Sequence, residues 1–320
     1  MPDEIVSHLK EIRERIGTGK FGVDLLLPSG VGSETDRAAV VAGLPAENKA
    51  FIEQLRTKYN VPPATKATFF SSQIRSQQLF AEQIDAVLGS SADAFAAGIG
   101  LPASVIQRAA QCGKFTISLV GSAKHAVAAK TAGVDLIVAQ GADAGGHTGP
   151  IGTYSLVPQV VEAAGDVPVL AAGGVGHGRH IAAAFELGAQ GVWLGTAWLT
   201  SREHAFNEIL LRQVLAARGE DTVISKSHSG KSARLIRSAW TDEWEAPSAP
   251  KPLPMPYQQV LTGELLAAVE EHGIEALSYT GAGQGVGWFN ELKTVDEIVE
   301  RLVSETQGAL DQMNARLSGN

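Results

Sequence analysis

Apolar, strand-like runs alternate with amphipathic, helix-like stretches through the central half of this chain. The distance from one strand to the next is about 20 to 30 residues, which is typical of βαβ units in a parallel sheet. The strand-like runs are continuously apolar, as expected for strands that are buried on both faces. The six predicted strands are Phe21–Leu27, Ala94–Ile99, Phe115–Val120, Leu136–Ala139, Val167–Ala171 and Gly191–Leu194. The helices predicted between them are Pro102–Cys112, Ser122–Ala132, Leu156–Ala164 and Arg179–Leu187.

Glycine-rich segments directly follow three of these strands. They are residues 140–149, residues 171–176 and the pair Gly195-Thr196. Because the ends of parallel strands meet at one face, the three segments are expected to form a single ligand site there. The second and third segments suit a phosphate, since glycine leaves backbone amides open. The helix that starts near Gly178 is expected to add its positive N-terminal end.

His147 is the candidate catalytic residue. It lies in the first glycine-rich segment, and imidazole is the side chain best suited to proton transfer near neutral pH. Flanking glycines let the backbone approach a cofactor and direct the ring over it. Asp143 is predicted to hold the same loop by accepting a backbone amide. His204 and His228 are predicted to lie on the surface.

Composition and motif searches exclude several other classes. A formal net charge of -8 argues against a nucleic-acid surface. Cys112 is the single cysteine, so neither an intramolecular disulfide nor a thiolate zinc site can form. The pair His177 and His180 has no evident third ligand, and no metal site is predicted. No dinucleotide fingerprint or Walker loop fits. No apolar run reaches the ~18 residues of a membrane span, and a cytoplasmic location is the default expectation.

The regions that flank the central half have a different pattern. Residues 29–92 are more polar and mostly helical, with Gln73–Leu88 the clearest amphipathic stretch. Residues 201–320 lose the tight alternation and contain a proline-rich connector at Pro247–Pro256. The predicted division is a βα barrel portion at 1–200, a helix-rich substrate-side region with the connector at 201–290, and a C-terminal helix at 291–320.

Several segments together resemble the nitronate monooxygenases, formerly called 2-nitropropane dioxygenases. The resemblance lies in FGVDLLLP at 21–28, AQGADAGGHTG at 139–149, the run from VPVLAAGGVG to GTAWL at 167–199, SGKSARLIR at 229–237 and GAGQGVG at 281–287. The AGGH loop together with the spacing from AAGG to GT is much more specific than any single glycine motif.

This resemblance implies an α/β fold of the TIM-barrel type that binds FMN. The flavin phosphate would be held by the glycines after one late strand and the Gly-Thr pair after the next, and His147 would be the catalytic base. The family often has FGVN where this chain has FGVD, so Asp24 replaces an asparagine that contacts the flavin. A carboxylate there can accept from a flavin N–H but repels an anionic reduced flavin. The candidate cofactor-binding residues are Asp24, Gln140, Gly145, Gly146, Gly173, Gly174, Gly195 and Thr196.

The implied reaction is the oxidation of nitronates or nitroalkanes by dioxygen to a carbonyl compound and nitrite. Its partners are a small nitro compound and dioxygen, with no nucleic acid and no membrane. Two related alternatives share the fold: a flavin-dependent enoyl-ACP reductase and an NAD(P)H:quinone reductase. A non-catalytic, degenerate barrel is a third alternative. Rapid reduction by NAD(P)H would favour the reductases, and a protein that stays colourless with added FMN would favour the degenerate barrel.

The number of strands predicts an incomplete barrel. A closed barrel of this class needs eight strands, and six are recognisable here. Relatives resembling this chain carry two further βα units ahead of the FGVN strand, and neither is recognisable in this sequence. The weak candidate for an additional strand is Ala67–Phe70. An open arc of six strands is therefore expected.

Overall fold

The computed structural model describes residues 1–27, 36–98 and 102–319. Its helices are α1 (Pro2–Ile16), α2 (Arg37–Gly43), α3 (Ala46–Lys58), α4 (Phe69–Ser72), α5 (Gln77–Leu88), α6 (Ala103–Gln111), α7 (Ala123–Ala132), α8 (Thr153–Ala164), α9 (Gly178–Glu186), α10 (Glu208–Ala216), α11 (Ala239–Glu245), α12 (Tyr257–Glu271) and α13 (Val295–Leu317). Its strands are β1 (Gly22–Leu26), β2 (Ala94–Gly98), β3 (Phe115–Val120), β4 (Leu136–Gln140), β5 (Gly146–His147), β6 (Val169–Ala172), β7 (Gly191–Trp193), β8 (Thr222–Ser225) and β9 (Ala233–Ile236). Short 3-10 helices cover Thr196–Thr200, Gly219–Asp221, Glu275–Leu277 and Gln284–Trp288.

The main sheet is parallel, with strand order β1-β2-β3-β4-β6-β7. These are the six predicted strands, and their bounds agree within two residues. Ile99, the predicted end of β2, lies outside the described residues. Successive strands pair in parallel register, with Asp24 beside Ala96 and Ala139 beside Ala171. The predicted α/β fold with a parallel sheet is confirmed.

Glycines end helices and lead into strands, as the sequence pattern predicts. Gly133 caps α7 in the left-handed conformation, with φ of 84°, and its amide donates to Ala129 and Lys130. Gly188, with φ of 92°, plays the same part after α9. This backbone conformation is one that glycine adopts without steric cost. It turns each helix sharply into the next strand.

Among the described residues, no strand joins the two free edges of the main sheet, β1 and β7. The weak candidate Ala67–Phe70 is not a strand, because Thr68 caps the short helix α4 by accepting the Ser71 amide. The arc of six strands that the sequence predicts is therefore what the described residues form.

A second, three-stranded sheet lies outside the main sheet and is not predicted from the sequence. It has the order β5-β9-β8 and is antiparallel. His147 pairs with Ala233 in it, so the AGGH loop is held against the segment after residue 229. Strands of two to four residues are too short to show a periodic pattern.

Two of the apolar cores among the described residues hold the main sheet and the C-terminal half in place. One lies between the main sheet and α6 to α9, around Ile137, Leu156 and Val160. The other contains Leu55 of α3, Trp240 of α11 and Leu265 of α12. Since the second core draws on residues 40–74 and 240–277, it anchors the C-terminal half to the helices that follow β1. The division at residues 200 and 290 stays a prediction. No helix in the described residues is long and apolar enough to span a membrane.

Candidate active site

A cavity of about 340 Å³ lies at the carboxyl ends of the parallel strands. Each of the eight candidate cofactor-binding residues lines it. Asp24 in the middle of β1, Gln140 at the end of β4 and Trp193 at the end of β7 contribute to the walls. The remaining lining residues are Leu119, Ala144, Gly145, Gly146, Ala172, Gly173, Gly174, Val175, Leu194, Gly195, Thr196, Leu199, Gly281 and Gly285.

Close backbone packing explains why glycine occupies Gly145 and Gly173. A Cβ added to Gly145 would lie 2.6 Å from the carbonyl carbon of Ala282, in the 281–287 loop. A Cβ added to Gly173 would lie 2.8 Å from Thr153 Oγ1, and its φ of 103° is unfavourable for other residues. These two glycines bring three loops into contact. Gly195 differs, because a Cβ there would meet nothing within 4 Å.

The loops leave hydrogen-bond donors open to the cavity. In the part of the chain that the structure describes, the amides of Gly174, Val175 and Gly195 donate no hydrogen bond within the protein. Thr196 Oγ1 accepts the amide of Gly283 at 2.9 Å, so its own hydroxyl hydrogen stays available. Open amides and a hydroxyl at strand ends are a donor set that fits a phosphate. The residues present therefore fit a phosphorylated cofactor.

The expected contribution of α9 to that phosphate site is wrong. The Gly178 amide at the N-terminus of α9 donates to Glu305 Oε2 of α13 at 2.9 Å. A Cβ on Gly178 would lie 2.2 Å from the Thr306 amide nitrogen, so α13 packs directly on this end. The carboxylate of Glu305 already neutralises the positive helix end, and α9 does not present it to a ligand.

Asp143 holds the AGGH loop, as predicted. Its Oδ2 accepts the amide of Thr153 at 2.6 Å, at the start of α8. Its backbone carbonyl accepts the amide of Gln284 at 2.9 Å. Gln140 adds a further contact, since its Nε2 donates to the His147 carbonyl at 2.7 Å. These three hydrogen bonds hold the AGGH loop in position.

Asp24 is a carboxylic acid in an otherwise glycine-rich cavity. Partial burial raises its pKa to about 6, although the side chain keeps contact with solvent. At pH 7 and above it is therefore mostly charged, and at pH 5 it is mostly neutral. The charge of the cavity wall thus depends on pH within the range in which enzymes are assayed.

His147 lies beside the cavity but does not itself line it. Its Nε2 is 2.6 Å from Ser229 Oγ, and its ring centroid is 5.8 Å from that of His228. Burial, and after it the electrostatic effect of His228, Arg75 and Lys231, lowers the pKa of His147 to about 4. The ring is therefore neutral at pH 7 and has a lone pair that can accept a proton.

The prediction that His228 lies on the surface is wrong. Its Nδ1 is 2.9 Å from the Tyr279 hydroxyl, and its ring contacts Phe70 with centroids 6.4 Å apart. Burial, and after it the charge of Arg75, lowers the pKa of His228 to about 4. These contacts come from α4 and from residues beyond 270, which no local sequence pattern brings together. His204 is exposed, as predicted.

Sequence reasoning from residue patterns missed three polar residues near His147: Arg75, Ser229 and Lys231. Ser229 and Lys231 stand in SGKSARLIR, a segment that carried the family resemblance without an assigned role. Arg75 precedes Ser76, the residue that caps α5, and no motif in the sequence marks Arg75 as a functional residue. Among the described residues, no group of three His, Cys, Asp or Glu side chains could hold a metal ion.

A parallel β/α sheet with a glycine-lined cavity at its strand ends, and a neutral histidine beside it, is the arrangement of a ligand-binding site in a TIM-barrel type of fold. The nitronate monooxygenase family model matches residues 1–305. The chain belongs to this family of flavin-dependent enzymes, so the resemblance inferred from the sequence is confirmed.

Relatives and solved structures agree with this assignment. A Mycobacterium tuberculosis protein named as a monooxygenase is 37% identical over an alignment of 326 positions. The alignment covers 98% of this chain and 87% of the relative. A Staphylococcus aureus protein named as a nitronate monooxygenase is 31% identical over 281 residues, or 84% of this chain and 75% of the relative. The structure of nitroalkane oxidase from Streptomyces ansochromogenes superposes with a TM-score of 0.79 at 26% identity, covering 98% and 87% of the two chains.

Proposed function

We propose that this chain binds FMN in the cavity and oxidises nitronates and nitroalkanes with dioxygen, giving a carbonyl compound and nitrite. The observation that carries the proposal is the convergence of all eight candidate cofactor-binding residues on one cavity beside a neutral histidine. Membership of the nitronate monooxygenase family, and the likeness to nitroalkane oxidase, support the same reaction.

The cavity residues divide into a phosphate end and a ring end. The open amides of Gly174 and Gly195 and the hydroxyl of Thr196 would hold the phosphate, together with the turn at Gly173. Asp24, Gln140, Gly145 and Gly146 would border the isoalloxazine ring. FMN supplies the electron transfer from substrate to dioxygen, while the protein supplies positioning and proton transfer.

His147 would accept the α-proton of a neutral nitroalkane. The contact at 2.6 Å lets Nε2–H donate to Ser229 Oγ, which leaves the Nδ1 lone pair as the basic atom. Once protonated, the ring keeps its donation from Nε2 to Ser229, so the ring orientation is retained. A preformed nitronate has already lost that proton, and it needs His147 only as a binding contact.

The cofactor is expected to be FMN and not FAD. The cavity has one phosphate-sized set of donors, and no dinucleotide fingerprint occurs in the sequence. Mass spectrometry of the cofactor released by heat should therefore give the mass of FMN. Recovery of FAD in stoichiometric amount would contradict the assignment.

Asp24→Asn is expected to raise the midpoint potential of bound flavin at pH 8 by some tens of millivolts. A carboxylate at the cavity wall opposes the build-up of negative charge when the flavin is reduced, and the amide removes that charge. Because the pKa of Asp24 is about 6, the difference from the unmodified protein should shrink at pH 5, where Asp24 is mostly neutral. Redox titration at the two pH values measures this.

Asp166→Asn is the matched control for that titration, because Asp166 is exposed and precedes β6 at the opposite end of the sheet. It should leave the potential unchanged at both pH values. If Asp24→Asn and the unmodified protein have the same flavin midpoint potential at pH 8, Asp24 does not border the flavin.

The reductase alternatives differ from the proposed enzyme in the electron donor to the flavin, which would be NAD(P)H and not a nitronate. The structure of FabK from Thermotoga maritima superposes with a TM-score of 0.73 at 25% identity, covering 99% of this chain and 85% of that one. A reductase that used an acidic carrier protein would need a basic surface, whereas the net charge here is -8. Fast reduction of the flavin by NADH, without reduction by a nitronate, would favour that class over the one proposed.

A further inference from the structure

Arg75 is a cation without a partner in the part of the chain that the structure describes. It lies between α4 and α5, and its Nη1 atom is buried and makes no hydrogen bond. Its guanidinium carbon lies 5.2 Å from the centroid of the Phe70 ring, and no described carboxylate forms an ion pair with it. Arg75 is half-buried, and leaving its buried Nη1 without a hydrogen-bond partner is unfavourable. Such a group is expected to have an anionic partner that binds from outside the chain.

A chain of ring contacts connects Arg75 with His147. The Phe70 ring contacts His228, whose centroid is 6.4 Å away, and His228 contacts His147 at 5.8 Å. Lys231 follows Ser229, the hydrogen-bond partner of His147, and its half-buried ammonium has no described acceptor. Among the described residues, two cations without counter-ions therefore lie close enough to His147 to act on it electrostatically.

The electrostatics around His147 have one sign. After burial, the contributions that lower its pKa come from His228, Arg75 and Lys231. None of the described carboxylates contributes in the opposite direction. Because the charged side chains that act on His147 are cations without counter-ions among the described residues, an anion is attracted to this position.

We propose that Arg75, assisted by Lys231, binds the O–N–O group of the nitronate beside His147 and makes the site selective for the anion. The inference rests on the proposed function, which supplies the substrate. A nitronate presents two oxygens in one plane that share a negative charge, as a carboxylate does. The planar guanidinium donates two parallel hydrogen bonds to such a group, which a lysine cannot do. A neutral nitroalkane has the same two oxygens but no net charge, so Arg75 binds it less strongly.

The subsite also explains how His147 can take up a proton in cationic surroundings. While Arg75 and Lys231 have no counter-ion, a proton on His147 is repelled. As the substrate loses its α-proton, the negative charge moves onto the O–N–O group next to Arg75. That charge offsets the repulsion at the moment His147 becomes positive.

The test is the binding of nitrate, a planar oxyanion that cannot be oxidised by the enzyme, measured by titration calorimetry on the full chain. Arg75→Met should weaken nitrate binding by about 10- to 100-fold, the usual effect of losing a charge-assisted pair. Arg75→Lys keeps the charge but loses the second donor, so it should restore only part of the affinity. Arg316→Met removes an exposed arginine near the end of α13 and should bind nitrate normally.

Thermal unfolding separates binding from a structural role. Because Arg75→Met removes a half-buried charge that has no partner among the described residues, it should unfold at the same temperature as the unmodified protein or a higher one. A lower unfolding temperature with unchanged nitrate affinity would overturn the proposal. If Arg75→Met does not fold, the test is made with Arg75→Lys. If Arg75→Lys binds nitrate as tightly as the unmodified protein, the proposal is overturned.

Kinetics connect the subsite to the substrate. With a nitronate, Arg75→Met should raise KM by about 10- to 100-fold and change kcat much less, while KM for the neutral nitroalkane changes little. Nitrate binding that depends on Arg75 in a protein that oxidises no nitronate would refute the proposed function and leave the anion subsite intact. Nitronate oxidation with an unchanged KM in Arg75→Met would refute the subsite and leave the function intact.

Discussion

Replacing His147 by alanine is expected to slow the turnover of a neutral nitroalkane by about 10²- to 10⁴-fold, the usual contribution of a general base. Turnover of the preformed nitronate should fall far less, because that substrate has already lost its α-proton. The structure supports this difference, since the pKa of His147 is lowered to about 4 and the ring is a neutral proton acceptor at pH 7. Steady-state rates with both forms of one compound, prepared at the same concentration, measure it.

The control for this comparison is His204→Ala, an exposed histidine with no contact to the site. It should leave both rates unchanged. Equal losses on the two substrates in His147→Ala would mean that His147 positions the substrate or the cofactor and removes no proton. Added imidazole that restores turnover of the neutral nitroalkane alone would further support the base.

Thr196→Glu is expected to weaken FMN binding by about 100-fold or more. Two like charges about 4 Å apart repel by about 4 kcal/mol at an effective dielectric constant of 20, which corresponds to about a thousandfold in Kd before further screening by solvent. Thr196 lines the cavity beside the open amide of Gly195, so a carboxylate there would face the phosphate. Fluorescence titration of the flavin-free protein with FMN gives the two dissociation constants.

Thr196→Ser is the matched variant, because it keeps the hydroxyl that accepts the Gly283 amide. Its FMN affinity should stay within a few-fold of that of the unmodified protein. If Thr196→Glu retained FMN as tightly as the unmodified protein, the phosphate would lie elsewhere in the cavity, and the assignment of Gly173, Gly174 and Gly195 to it would fail as well.

Much of the main sheet was predictable because its signals are local. Each strand is a mostly apolar run, and glycines such as Gly133 and Gly188 mark where a helix gives way to the next strand. Parallel strands then direct their carboxyl ends to one face, which is why the glycine-rich segments at 140–149, 171–176 and Gly195-Thr196 could be assigned to one site, whereas Asp24 was assigned through the family resemblance. Close backbone packing explains the glycines at Gly145 and Gly173, but it does not explain Gly195.

The features that the sequence did not predict depend on contacts between distant segments. The antiparallel pairing of His147 with Ala233 joins residues that lie in strands of two and four residues, too short for a periodic signal. Glu305 occupies the N-terminus of α9 from a helix more than a hundred residues away, which overturned the expected role of that helix end. His228 was assigned to the surface because no pattern near it in the sequence indicates that aromatic side chains from distant segments pack around it.

Anaerobic mixing of the FMN-loaded protein with a preformed nitronate tests the central claim most directly. We expect the absorbance of oxidised flavin to be lost on mixing and to return when dioxygen is admitted, and nitrite to appear along with the carbonyl product. NADH in place of the nitronate should cause no comparably fast change. A flavin spectrum that stays constant with the nitronate but is bleached rapidly by NADH would contradict the account and favour a reductase on the same fold.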